Sequence, residues 1–329
     1  MEEKYIPPYE ITDEMLELVS KIMENLGKLN TVDEFKKLPR LRRVSRIKSI
    51  HSSLAIENNT LSIEQVTDVI DGKRVLGPKE DIRAVRNANE AYKQLDNINP
   101  FSIEDLLHVH KIMMHELVFE AGRLRTGSVG VYNEKGEVVH LASPADFVPK
   151  QLSELFDWLK TSSVNMLIKS SVFHYEFEFI HPFRDGNGRM GRLWQTALLK
   201  SWKPIFAWIP IESIIKDNQE EYYKAIGYST SQGKSNNFII FMLNCLNKAI
   251  NDLINDTKNH FKHISNSIKV LLEVIESYPQ SATELMYKLN LKSRIGFRNN
   301  YLKPAIDMGL IEMTEPDKPT SKNQKYFKK

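Results

Sequence analysis

Along most of the chain, apolar positions return every three or four residues. Val44, Ile47, Ile50 and Leu54 form one such stripe, which predicts a helix running to about Glu57. Asn58 and Asn59 follow it, and asparagine tolerates the left-handed conformation that closes a helix. The same spacing predicts helices over about 62–71, 79–96, 102–118, 146–160, 164–180, 189–201, 218–228 and 236–260. Residues 122–142 break the rhythm. They alternate Val and Tyr around Asn133-Glu134-Lys135-Gly136, which predicts a β-hairpin. No solenoid-length repeat and no low-complexity tract interrupts the pattern.

The last 70 residues change character. From 261 to 329 there are 12 Lys/Arg against 7 Asp/Glu, a local basic excess in an otherwise balanced chain. Ser281-Ala282-Thr283-Glu284 is a capping-box pattern that opens a short helix to Leu289. A second helix is predicted from about Ser293 to Met308, stopped by Gly309. Leu310–Met313 and Lys325–Phe327 then flank a turn holding Pro316 and Pro319. Helices followed by a two-stranded wing give the order of a winged helix-turn-helix. Arg294, Arg298, Lys303, Lys318, Lys322 and Lys325 could supply phosphate contacts to DNA. Modules of this kind also serve as protein-docking or dimer surfaces, so DNA and protein both stay open.

Composition narrows the classes. With 41% hydrophobic and 26% charged residues the chain can build a core and is not a disordered tail. A mean hydropathy of −0.38 and the lack of an apolar run near 18 residues exclude a membrane span. The start, MEEKYIPPYE, has no apolar stretch behind a basic one, unlike a signal peptide. A net charge of +3 is too balanced to imply nucleic-acid binding by the chain as a whole. Cys245 is the one cysteine, which rules out an internal disulfide or a cysteine-based zinc site and fits a cytoplasmic setting.

The chemistry gathers in residues 181–192, His181-Pro182-Phe183-Arg184-Asp185-Gly186-Asn187-Gly188-Arg189-Met190-Gly191-Arg192. Pro182 and the Gly186-Asn187-Gly188 triplet prevent one continuous helix. Two helices therefore meet at a tight loop, and the second starts near Gly188. Glycines there let backbone N–H groups turn inward as an anion nest, and the helix terminus adds partial positive charge. Arg189 and Arg192 share a helix face, and two guanidinium forks beside a nest suit a polyphosphate. Cations at a helix N-terminus oppose its dipole, which is better explained if a strong anion sits there. Asp185 is a hard oxygen ligand placed where Mg²⁺ could bridge phosphates. His181 is the side chain of this stretch suited to general-base work near neutral pH. A metal pair of His181 and Asp185 on one helix is opposed by the intervening proline.

Every specified position of the Fic motif, HPFx[D/E]GNGRxxR, is present in His181–Arg192, and the lead-in Phe177-Glu178-Phe179-Ile180 matches as well. The chain therefore resembles the Fic family over roughly 100–245. That resemblance implies a mainly α fold: a Fic-type helical core with a β-hairpin flap, followed by the C-terminal winged helix-turn-helix. The implied division is 1–100 for an N-terminal helical region, 101–260 for the core with its helical extension, and 261–329 for the winged module. It also implies an AMP-transferase that moves AMP from ATP to a protein Ser, Thr or Tyr hydroxyl. His181 would deprotonate the hydroxyl and Asp185 would hold Mg²⁺. Gly186, Asn187 and Gly188 would form the anion hole, Arg189 would bind on the β-phosphate side, and Arg192 would hold the γ-phosphate. The hairpin at 122–142 would pin a target segment by strand pairing. Tyr222 and Tyr223 stand where the family places adenine contacts, although paired tyrosines on a helix are more often core.

Ser53-Leu54-Ala55-Ile56-Glu57-Asn58 resembles the family's inhibitory motif, [S/T]xxxE[G/N]. Ser53 and Glu57 are four apart and so share one helix face. The resemblance implies that Glu57 pairs with Arg192 and excludes the γ-phosphate from its productive seat. In some members the same glutamate positions a water that removes AMP, so a deAMPylase stays open beside the transferase. A regulator acting through DNA, and transfer of phosphate or phosphocholine, are further alternatives. The target is not readable, self-modification included, and family members often use homodimer contacts to control the brake.

Overall fold

The computed structural model describes residues 4–30, 39–132, 138–262, 266–319 and 321–328. The described chain is mostly helical: α1 Asp13–Asn30, α2 Pro39–Ile56, α3 Ile63–Ile70, α4 Lys79–Lys93 and α5 Ile103–Met113. A hairpin of β1 Gly130–Tyr132 and β2 Val138–Leu141 follows. Then come α6 Val148–Thr161, α7 Met166–Ile180, α8 Asn187–Trp202, α9 Ile211–Asp217, α10 Gln219–Gln232 and α11 Asn236–Lys262. The chain ends with α12 Asn266–Val274, β3 Gln280–Ser281, α13 Ala282–Lys288, α14 Arg294–Phe297, α15 Lys303–Asp307, β4 Ile311–Met313 and β5 Lys325–Lys328. Two compact units result, one of Met1–Asn25 with Ser45–Ile250 and the other of Leu26–Val44 with Asn251–Lys329.

In the first unit, α7 is the central rod and packs against α6 and α8. Leu167, Val172, Phe173 and Phe177 on α7, with Met190, Leu193, Trp194 and Leu198 on α8, are fully buried. Burying one such side chain stabilises by roughly 1.5–3 kcal/mol, so the α7–α8 pair is the anchor on which the intervening loop rests. Two serines inside α7 are partnered rather than bare. Ser170 and Ser171 hydrogen-bond back to the Leu167 carbonyl at 3.1 and 2.9 Å. An extended N-terminal segment joins the unit where the Tyr5 hydroxyl donates to Glu176 Oε2 at 2.6 Å. Burial raises the Glu176 carboxyl to about 7.

Several local expectations need correction. Val44 is 40% exposed, while Ile47, Ile50 and Leu54 are buried, so the inward stripe of α2 begins a turn later. The helix expected over 102–118 stops at Met113, and Glu116 turns left-handed at φ 57°. α1, α9 and α12 are additional, although Met15, Leu18, Ile22, Leu26 and Leu29 carry the helical spacing of α1 and are buried. The expected ends hold at Asn58 and Gly309, with φ of 64° and 68°. The hairpin pairs Gly130 with Leu141 and Val131 with His140 in antiparallel register, then shifts before Tyr132. Its expected turn at 133–136 lies outside the described residues.

The second unit has its own core of Ile268, Leu271, Leu285, Phe297, Leu302, Ala305 and Ile311. The capping box forms as expected: Ser281 accepts from the Glu284 N–H, and Glu284 reaches back to the Ser281 N–H. The single helix expected over 293–308 is instead α14, a π-turn at Arg298–Leu302 and α15. Pro304 explains the break, because it has no N–H and its ring clashes with the carbonyl four residues back. β4 and β5 pair as expected, and β3 adds a third strand in the order β3-β5-β4.

Candidate active site

The junction of α7 and α8 is built by residues that close it off locally. His181 caps α7 in the left-handed conformation, φ 51° and ψ 62°. A non-glycine there costs about 1–3 kcal/mol. Arg125 offsets that cost. Its Nε donates to the His181 carbonyl at 2.7 Å and its Nη2 to the Ile180 carbonyl at 3.2 Å. The same guanidinium donates to the carbonyls of Gly127 and Ser143, at the two ends of the hairpin segment. One buried cation thus satisfies the open end of α7 and the base of the hairpin together.

The other half of the loop is pinned from α5. The Gly122 N–H donates to His110 Nδ1 at 2.8 Å, so Nε2 carries the hydrogen and donates to the Asp185 carbonyl at 3.0 Å. His110 stacks on Phe183 with ring centres 3.6 Å apart, and burial lowers it to about 4, so it is a neutral strut. Asn187 is also structural in its side chain: it accepts from the Phe183 N–H and donates to the Phe183 carbonyl, both at 2.8 Å. Gly186 caps α8 at φ 85°, and a Cβ there would run into Met114. The first-turn N–H groups of Asn187, Gly188 and Arg189 are therefore presented at the start of a 16-residue helix.

These parts line a cleft of about 510 Å³ with Glu57, Glu178, His181, Arg192, Tyr222 and Tyr223. Ser53 stands behind it. Arg192, 1% exposed, donates from Nε to the Ser53 hydroxyl at 3.1 Å and from Nη2 to the Ser53 carbonyl at 3.0 Å. Its Nη2 also donates to Glu57 Oε1 at 2.7 Å, across 135 residues of sequence. Burial alone would pull the Arg192 guanidinium down, but the charge and hydrogen bond of Glu57 outweigh it and hold the proton more tightly than usual. Gly188 lies under this ion pair, and a Cβ on it would collide with Glu57 Oε1.

The two arginines of the motif part ways. Arg192 faces the cleft, whereas Arg189 donates to Asp185 Oδ1 at 3.1 Å, and its Nε is buried with no partner. Asp185 Oδ1 also accepts the Gly186 N–H at 2.6 Å. The carboxylate is about half exposed, at 53%. No cluster of three or more His, Cys, Asp or Glu able to hold a metal occurs among the described residues. A lone carboxylate beside an anion site matches the way Mg²⁺ is held, by one or two carboxylates together with substrate phosphates and water.

Tyr222 is core and wall at once. Its ring packs near Phe238 and Phe241, and its hydroxyl meets His174 Nε2 at 3.1 Å. Tyr223 is less enclosed, and burial followed by the charge of Glu57 raises its hydroxyl to about 12. Sequence reasoning did not single out His110, Arg125 or Glu178, each of which now touches or lines the site. Only Glu178 carried a local signal, as an acidic residue on an otherwise apolar helix three positions before His181.

The Fic/DOC family matches residues 100–199. A second match, "Filamentation induced by cAMP protein Fic-like, C-terminal domain", covers 266–327. The crystal structure of a Fic family protein from Desulfovibrio desulfuricans G20 is 45% identical, with a TM-score of 0.76, and covers 99% of this chain and 98% of that one. Among curated proteins, the protein adenylyltransferase Fic of Nematostella vectensis is 26% identical over 73% of this chain and 56% of its own length. The protein adenylyltransferase fic-1 of Caenorhabditis elegans is 28% identical over 70% of this chain and 45% of its own. The chain thus spans about half the length of the curated relatives it matches.

Proposed function

The chain belongs to the Fic family, and from that premise we propose that it is a protein adenylyltransferase, self-restrained by Glu57, with ATP as AMP donor. The observation that carries the reading is the cleft itself. His181, the Gly186–Gly188 turn, Arg192 and Glu57 line one space. Phosphoryl-group transfer asks little of a protein beyond positioning and charge stabilisation, and this cleft offers both.

In the proposed reaction a target hydroxyl gives its proton to His181, and its oxygen attacks the α-phosphorus. The bond from the α-phosphorus to the bridging oxygen breaks, and pyrophosphate leaves. The first-turn N–H groups of α8 receive the phosphate oxygens. Mg²⁺ held by Asp185 would neutralise charge on the phosphates. Tyr223 and Ile226 form the more apolar wall, suited to the base. Arg192 takes the γ-phosphate once Glu57 gives it up. In the resting arrangement Glu57 holds that guanidinium at 2.7 Å, which is the support for autoinhibition. The hairpin lies against α10 and offers strand edges to a target segment. No helix among the described residues is long and apolar enough to cross a membrane. With a single cysteine, buried, a cytoplasmic site of action completes the reading.

The test is label transfer from α-labelled ATP with Mg²⁺, to the protein itself and to a lysate. Wild type, Glu57→Gly, and Glu57→Gly with His181→Ala are compared. Label in the Glu57→Gly lane, weak in wild type and cut roughly 10²–10⁴-fold without His181, is the expected result. ATP binding without label in any lane would overturn it.

The second unit supports a further reading as a winged helix that touches duplex DNA. Arg294, Arg298 and Lys322 line a groove of about 270 Å³ together with Ser281, Thr283 and Ser321. Duplex affinity that falls steeply with salt is expected, and a flat salt dependence would sink it.

A further inference from the structure

Glu178 is a carboxyl in a costly place. It lines the cleft at 3% exposure, and its Oε1 has no hydrogen-bond partner. A hydrophobic residue of similar volume would spare the fold an unpaired buried polar atom. Two imidazoles flank it: His174 Nε2 lies 3.8 Å from Oε1, and His181 Nδ1 lies 3.8 Å from Oε2.

Only one of those imidazoles can answer it. His174 Nδ1 meets Gln195 Oε1 at 2.7 Å, so it carries the hydrogen. Its Nε2 then accepts from the Tyr222 hydroxyl at 3.1 Å. Burial lowers His174 to about 3, so it stays neutral and has nothing to donate to Glu178. His181 is different. Its Nδ1 faces the Glu178 backbone carbonyl at 3.3 Å as well as the carboxyl at 3.8 Å. The carbonyl accepts the Nδ1 hydrogen and so makes Nε2 the basic nitrogen, while the carboxyl, beyond hydrogen-bond reach, acts through its charge.

Resting on the transfer reading above, we infer that Glu178 is the positioning and charge partner of His181: it fixes the Nδ1–H form and steadies the imidazolium that appears when Nε2 receives the target's proton. No proton passes to Glu178 in this step; the positive charge forms within reach of its carboxylate. An acid beside a catalytic histidine acts through orientation and charge in just this manner. The groups that face Glu178 are His174 and His181 beside it on α7, Arg192 on α8, Glu57 at the end of α2, and Tyr222 and Tyr223 on α10. Burial raises its carboxyl to about 8, against the pull of Arg192 and with the push of Glu57. The supportive form is the carboxylate, so the rate of transfer climbs as pH rises through that range.

Two measurements decide it in the Glu57→Gly background. The first is an NMR titration of ring-labelled His181 with and without Glu178→Gln. In the parent the His181 ring signals should report a second step near pH 8 from the neighbouring carboxyl, and Glu178→Gln should erase it; an unchanged titration overturns the pairing. The second is label transfer against pH. Measured above pH 8, where the carboxylate is present, Glu178→Gln should lower kcat about tenfold, with little change in KM for ATP. It should also erase the rise near pH 8, and Glu178→Asp should restore part of it. An unchanged kcat and pH profile also overturns the inference. If the Glu57→Gly parent moves no label, the transfer reading has failed, and the titration still decides the pair.

Discussion

The start of α8 and the end of α2 meet in one cleft, yet they are held in opposite ways. At the α8 end, Asn187 is tied back to Phe183 by two bonds, His110 supports the Asp185 carbonyl, and Arg125 supports the His181 carbonyl. All three supporting side chains are buried. At the α2 end, the residue that reaches into the cleft is Glu57, 30% exposed and just past the last helical residue, Ile56. Its carboxylate accepts from Arg192. On the proposed reading, the contact to be released is an ion pair at a helix end, whereas the turn that must stay in register is held by several bonds.

Substitutions can break that contrast in order of size. Arg125→Ala should do the most, because it strips four carbonyls of their donor at once. A loss of about 3–5 kcal/mol in unfolding free energy is expected, with transfer in the Glu57→Gly background cut by 10² or more. Denaturant unfolding beside label transfer checks both, and Arg125→Lys should rescue little, since an ammonium lacks the planar fork. Gly188→Ala comes next. Its methyl collides with Glu57, so the proposed brake should loosen, but the same methyl intrudes where the proposed reaction seats a phosphate. Transfer is expected to stay low with or without Glu57, roughly 10–10²-fold below the Glu57→Gly parent. Activity equal to that parent would show that Gly188 guards only the brake.

Ser53→Ala probes the releasable end gently. It removes the hydroxyl that accepts from Arg192 Nε but leaves the Ser53 carbonyl and Glu57 in place. A gain in basal transfer of about two- to tenfold fits the loss of one hydrogen bond to a charged group. Glu176 lies outside both ends and serves as a control. Its folded value, about 7, stands above the ordinary carboxylate value, so the folded state holds the proton more tightly. The stability this confers is present below about pH 4.5 and is lost as pH rises through about 7. Glu176→Gln should flatten that decline in thermal unfolding scans while leaving transfer unchanged.

What the sequence made readable follows the same division. The 181–192 stretch announces itself because its constraints are local: Pro182 ends one helix, Gly186 needs a positive φ, and α8 starts one residue before the position expected from Gly188. Ser53 and Glu57 are readable by their spacing on one helix. His110 and Arg125 are not, because each acts on atoms 75 and 56 residues away, and a single histidine or arginine has no period to reveal it. The exposure of Val44 and the π-turn at Arg298–Leu302 escape for a related reason. Periodicity says that a helix has a face, while packing decides where that face begins and how a proline within it is accommodated.

His181 occupies a backbone geometry in which glycine would be the more comfortable residue. The protein therefore keeps an imidazole where its own stability would favour no side chain at all. His181→Gly should raise the midpoint of thermal unfolding while abolishing transfer, an inverse relation between durability and work. A selection for heat resistance alone would be expected to discard the very residue on which the proposed chemistry depends.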